Sequence, residues 1–194
     1  VLPVYPQYAA SSAGTVIDEV ARRLLSSRDQ LEIRTVRSFP TAEPYIAALA
    51  TALENSWAEN GRPDFASGDK LILSFHSIPV AMRQAGDPYK DECEETARAL
   101  HQRLGIPADA MLTCFQSVFG PAEWIGPATI DTVEALGKAG TGRVDVICPG
   151  FMADCLETLE EINILNRETY LEAGGREFHY VPWANDSRGC IDTL

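Results

Sequence analysis

The sequence predicts an α/β domain of three layers, with helices on both faces of a central, mainly parallel sheet. Two observations carry this. Short apolar runs alternate with helical patterns along the whole chain. The intervening helices are long enough to serve as crossovers between parallel strands. A third observation concerns burial: Lys70 to Phe75 is almost continuously apolar, as a strand covered on both faces should be.

Element by element, Val1 to Tyr5 reads as the end of a strand. Ala13 to Ser26 has helical spacing, with Val16, Ile17, Val20, Ala21, Leu24 and Leu25 on one face. Leu31 to Phe39 reads as a strand, Pro44 to Glu59 as a helix and Lys70 to Phe75 as the central strand. Asp87-Pro88 is a helix start, since Asp accepts backbone N–H bonds and Pro suits the first helical position. That helix runs to about Leu104 and stops at Gly105. Met111 to Val118 is the next strand, Ala128 to Leu136 a helix and Arg143 to Cys148 a strand closed by Pro149-Gly150. A long helix is expected from Asp154 to Ala173, ended by Gly174-Gly175, then a strand from Glu177 to Val181. Ile191 to Leu194 falls inside a further helix.

Composition narrows the function. The 194 residues are enough for one domain with a sizeable core. A net charge of −12 disfavours nucleic acid and anionic membrane surfaces as partners. No apolar stretch approaches the ~20 residues that span a bilayer, so no transmembrane segment is expected, and no signal peptide is evident. The five cysteines form no C-x-x-C pair, which fits buried free thiols in a reducing, cytoplasmic setting. The first strand is not followed by G-x-G-x-x-G, which disfavours a dinucleotide site.

Two segments carry the chemistry. Ser74-Phe75-His76-Ser77-Ile78-Pro79 places His76 at a strand tip, the edge where parallel sheets hold ligands. Imidazole can serve there as a base or a metal ligand, although a lone strand-end His is also a common structural feature. Asp154, Glu157 and Glu161, at i, i+3 and i+7, are expected on one helix face. Leu156 and Leu159 are expected to turn toward a core, and Glu160 to fall off the acidic face. The acidic face reads either as solvated surface or as a carboxylate ladder for a cation or protons. Trp124 and Phe151 each read as core or as a flat wall for a planar ligand.

Taken together and in order, these motifs resemble ferrochelatase. They are Leu2-Pro3-Val4-Tyr5-Pro6-Gln7-Tyr8, the Ser74 to Pro79 segment, Gly86-Asp87-Pro88-Tyr89, Phe115-Gln116-Ser117, Glu123-Trp124-Ile125-Gly126-Pro127, Cys148-Pro149-Gly150-Phe151, Asp154 through Glu161, and Asn185-Asp186. The resemblance covers essentially the whole chain. It implies a Rossmann-like, chelatase-like lobe, residues 1–194, corresponding to the C-terminal half of a two-lobe enzyme. The N-terminal lobe and a final helix are then absent from this stretch. The implied reaction is insertion of Fe²⁺ into protoporphyrin IX or coproporphyrin III with release of two protons, lyase chemistry that ends haem synthesis. Iron is the substrate, and the missing lobe is a partner.

By the same resemblance His76 and Glu157 are the catalytic pair and the candidate metal ligands. Asp154 and Glu161 continue an acidic path for protons or metal. Trp124, Phe151, Ser77 and Pro79 wall the porphyrin cleft. Half a cleft is expected to metallate poorly on its own. The sequence departs from the family's pattern at three places. Cys155 stands where mitochondrial members carry His, and Val118 where many members carry Arg or Lys. Ala9 and Ala10 stand where animal members place a cluster-binding Cys, so no iron–sulfur cluster or other cofactor is expected. Two other readings stay open: a chelatase for another metal or tetrapyrrole, and a non-catalytic tetrapyrrole- or metal-binding module.

Overall fold

The computed structural model describes residues 1–194. Its sheet has four strands, β1 (Lys70–His76), β2 (Met111–Gln116), β3 (Arg143–Ile147) and β4 (Glu177–Tyr180). They lie in the order β2-β1-β3-β4, and every pairing is parallel. The chain therefore leaves β1 toward β2 and returns across it to β3. This reversal makes the carboxyl ends of β1 and β3 the topological switch point, where such sheets open a ligand crevice.

The helices follow from the same reversal. α1 (Thr15–Leu25), preceded by a π turn at Ala10–Gly14, and α2 (Glu43–Asn60) come before the sheet. The short α3 (Val80–Gln84) and α4 (Tyr89–Leu104) connect β1 to β2, and α5 (Thr129–Lys138) connects β2 to β3. After β3 the chain forms α6 (Leu156–Leu159), a π-helical stretch at Glu161–Asn166 and α7 (Arg167–Glu172), and after β4 it forms α8 (Arg188–Thr193). Crossovers of constant hand must switch faces when the strand order reverses. The core divides accordingly. Leu71, Leu73, Phe75, Phe115 and Ile147 pack with α2 and α4 residues such as Leu49, Leu53, Cys93 and Leu100. On the other face Ile72, Cys114, Val144, Val146 and Cys148 pack with Val133, Ile162 and Tyr170. Each fully buried side chain of this size contributes ~1.5–3 kcal/mol.

Helix ends obey local chemistry. Asp87 stands one residue before the N-cap of α4, Pro88. It accepts a bond from the Tyr89 N–H at 3.0 Å and another from the Ala10 N–H at 2.7 Å, so it closes the turn into α4 and ties down the first loop. Gly105 ends α4 in the left-handed region at φ 61°, which favours glycine. α5 and α7 approach so closely that a Cβ on Gly137 would lie 2.6 Å from the Tyr170 carbonyl oxygen.

At the amino-terminal edge of the sheet, Asp145 is fully buried. Arg143 donates to both its oxygens, at 2.8 and 3.1 Å, and the Trp57 indole N–H donates to it at 2.7 Å. Buried charge is tolerated because it is paired and hydrogen-bonded.

Three sequence expectations are corrected. Val1 to Tyr5 and Leu31 to Phe39 form no strands. They run side by side, but only a few bonds join them, Val36 N–H to Val1 carbonyl and Phe39 N–H to Pro6 carbonyl among them. Leu31, Val36 and Val4 are exposed, and a pair without further strands or a covering layer does not sustain a ladder. The long helix expected from Asp154 begins instead at Leu156 and passes into π geometry at Glu161. Finally, Leu156 is 78 % exposed and Leu159 46 %. The core contacts of this segment come from Thr158 and Ile162 instead.

Candidate active site

Strand parity builds the site. Side chains alternate across a strand, so Ile72, Ser74 and His76 share one face of β1. Cys114 and Gln116 on β2, and Val146 and Cys148 at the end of β3, lie on the same side. That is the face covered by the segment after β3, which carries Glu157. His76 and the acidic segment thus meet at the switch point.

His76 is partly buried, and its Nδ1 lies 2.6 Å from the Ser77 carbonyl oxygen. A carbonyl only accepts, so the neutral ring carries its proton on Nδ1 and leaves the Nε2 lone pair for a proton or a cation. The Phe151 ring stands beside it, with centroids 6.5 Å apart.

Of the three acids on the expected face, only the carboxylate of Glu157 makes no hydrogen bond to another element of the fold. The Cys155 thiol, foremost, and its own backbone N–H hold its carboxyl below the usual carboxylate range, and the charge of His76 adds to this. Glu157 is therefore an available anion within electrostatic reach of the imidazole.

The flanking acids are engaged. Asp154 precedes the helix and accepts from the Tyr180 hydroxyl at 2.5 Å, the Asn185 amide at 2.9 Å and the Thr158 hydroxyl at 3.1 Å. Asn185 also accepts from the Asp154 N–H at 2.9 Å. Glu161 accepts from both the N–H and the hydroxyl of Ser117, each at 2.6 Å. Ser117 has φ 62°, a strained value for a non-glycine residue, and the two bonds hold it there. The one-face description is corrected accordingly: Asp154 is a knot between the loops after β3 and β4, and Glu161 is a staple on the loop after β2. Glu160 is exposed, as expected.

The wall residues sort in the same way. Ser77 is fully buried and donates to the Ile125 carbonyl at 2.8 Å, so it braces the wall from behind and does not face a cleft. Pro79 bridges to Trp124, and the Val80 N–H donates to the Glu123 carbonyl at 2.8 Å. Trp124 is half-buried against Phe119, with centroids 5.1 Å apart, and its indole N–H is buried without a partner. Phe119 itself is 69 % exposed. Sequence reasoning did not single out Phe119 or the buried amide of Gln116. The latter was signalled by a polar residue in step with Cys114 at a strand tip.

All five cysteines are free, and four are buried. No helix is long and apolar enough to cross a membrane. The other two histidines, His101 and His179, lie in the last turn of α4 and on β4.

These features define a Rossmann-like lobe that presents an imidazole, a carboxylate and aromatic side chains at the switch point of its sheet. The family model described as Ferrochelatase matches residues 1–194, and the chain belongs to that family. Among curated relatives, the ferrochelatases of Azoarcus sp. (strain BH72) and Aromatoleum aromaticum are each 50 % identical to it over 194 residues. The alignments take in 100 % of this chain and 52 % of each relative, so the chain spans about half their length.

Proposed function

We propose that this chain is the C-terminal lobe of an enzyme, a lyase, that inserts Fe²⁺ into a porphyrin, protoporphyrin IX or coproporphyrin III, with release of two protons. The observation that carries the reading is the charge coupling at the switch point between the Glu157 carboxylate and His76, whose Nδ1 is taken up by the Ser77 carbonyl. Family membership and the two half-length matches agree with it.

Metallation must remove two pyrrole protons, strip water from a divalent cation and bend a stiff ring. His76 takes a pyrrole proton through Nε2. Glu157 remains ionised and offers oxygen to the divalent cation or accepts a proton passed on from His76. Asp154 and Glu161 extend the acidic path as fixed charges, each anchored by its hydrogen bonds. Trp124, Phe151 and Pro79 face the macrocycle, and Ser77 braces them. The second lobe closes the cleft, and the soluble, cytoplasmic enzyme works without an iron–sulfur cluster or other cofactor.

The test is metallation by the full-length protein. Fe²⁺ insertion into either porphyrin, followed by loss of the free-base fluorescence, is expected with turnover, and the 194-residue lobe alone should show little. Stoichiometric porphyrin binding without metallation by the full-length protein would favour the binding module. Turnover with another divalent metal but not with Fe²⁺ would favour the other chelatase.

A further inference from the structure

The side chain of Gln116 is almost wholly buried, 2 % exposed, at the carboxyl tip of β2. Its partners fix its orientation. The Glu157 carbonyl, 2.6 Å away, can only accept, so it faces the amide Nε2. The Oε1 accepts from the Ser74 hydroxyl at 2.7 Å and from the Cys148 thiol at 3.5 Å. Burial holds Cys148 protonated, so its thiol is a donor. Thr129 completes the chain of bonds on Ser74 at 2.7 Å. One amide therefore joins the tips of all three central strands to the first turn of α6. The backbone of the same residue acts on the other half of the pair: the Gln116 carbonyl accepts from the Ser77 N–H at 2.8 Å, next to His76.

We infer that Gln116 is a positioning residue that sets the placement of Glu157 relative to His76. This rests on the function proposed above. α6 has only four residues and its outward leucine is exposed, so packing alone holds it weakly. Its register over the strand tips comes from hydrogen bonds, and among these the Gln116 amide is the link to β2. Misplacing a reacting group by about 1 Å can cost on the order of a hundredfold in rate without altering substrate binding. Only a side chain with one donor and one acceptor at amide length meets the Glu157 carbonyl on one side and the Ser74 and Cys148 donors on the other.

The test uses the full-length protein. Gln116→Met removes the three side-chain bonds at similar volume. It is expected to lower kcat for metal insertion at least tenfold, to leave the porphyrin KM within twofold, and to show the first turn of α6 displaced in a crystal structure. Gln116→Glu is the conservative rescue, because a protonated carboxyl offers one donor and one acceptor at the same positions. Its kcat relative to wild type should stay near one or rise toward one as pH falls. The titratable groups around the position are His76, Cys148, Glu157 and Glu161. Both proteins carry them, so the comparison is made as a ratio at each pH. A Gln116→Met enzyme with kcat within twofold of wild type and α6 in place overturns the proposal. If that variant does not fold, a Gln116→Glu ratio that is low and flat with pH overturns it. Should the wild type itself fail to metallate, the proposed function falls, and α6 staying in place in the variant's crystal structure would then refute the positioning role separately.

Discussion

The Nδ1 of His76 lies 2.6 Å from the carbonyl oxygen of the next residue, Ser77. That single contact orients the ring and assigns its tautomer. In ¹⁵N NMR of the wild-type chain at a pH where the ring is neutral, the Nδ1–H form should dominate. A spectrum dominated by Nε2–H would remove the basis for Nε2 as the base or ligand.

The hydrogen bond from the Cys155 thiol is the main cause that holds the Glu157 carboxyl below the usual range. Removing the thiol with Cys155→Ala should therefore raise the Glu157 titration midpoint. The sign follows for stability as well. A depressed carboxylate adds stability above its unfolded pKa and loses it as pH falls through the folded pKa. The variant should lose that contribution at a higher pH than wild type does. Side-chain ¹³C titration measures the midpoint directly, and an unchanged or lower value contradicts the assignment.

Asp145 and Arg143 form a buried pair far from the switch point, at the opposite edge of the sheet. Asp145→Ala removes the carboxylate that neutralises the Arg143 guanidinium, which keeps only the Asn60 carbonyl at 3.0 Å, and leaves the Trp57 indole N–H unpaired. It should cost about 3–5 kcal/mol in denaturant unfolding. A loss under 1 kcal/mol would show that water replaces the carboxylate.

Gly137→Ala places a methyl against the Tyr170 carbonyl and the Ala173 side chain, 2.6 and 2.7 Å from its ideal position. α5 must shift away from α7, at a cost of roughly 1–3 kcal/mol. Thermal unfolding checks this, and a neutral or stabilising result would mean that the two helices part easily.

Much of this was legible in the sequence because burial on both faces writes itself as apolar runs. Lys70 to Phe75, Arg143 to Cys148 and Glu177 to Val181 appear as strands within a residue or two of their bounds. The tips of β1 and β3 are neighbours, as the placement of His76 and Glu157 required. Val1 to Tyr5 and Leu31 to Phe39 misled for the complementary reason. Their apolar residues are exposed in this chain, so pattern and pairing part company. Asp154 and Glu161 were legible as acids but not as anchored ones, because their partners Tyr180, Asn185 and Ser117 come from distant loops. Helical periodicity could not foresee the extended residue at Cys155, φ −151°, or the π stretch that follows. Those breaks leave Glu157 as the acid whose carboxylate no distant loop anchors.

The most direct measurement is steady-state Fe²⁺ insertion by the full-length protein and three variants. His76→Ala should abolish metallation with the fold intact, since a strand-tip ring adds little to the core. Glu157→Gln should lower kcat far more than it raises the porphyrin KM, the signature of an interaction used in the reaction itself. Glu160→Gln, on an exposed side chain, should be close to wild type. Near wild-type turnover in His76→Ala, or a Glu160→Gln loss as large as that of Glu157→Gln, would contradict the assignment of His76 and Glu157 as the centre.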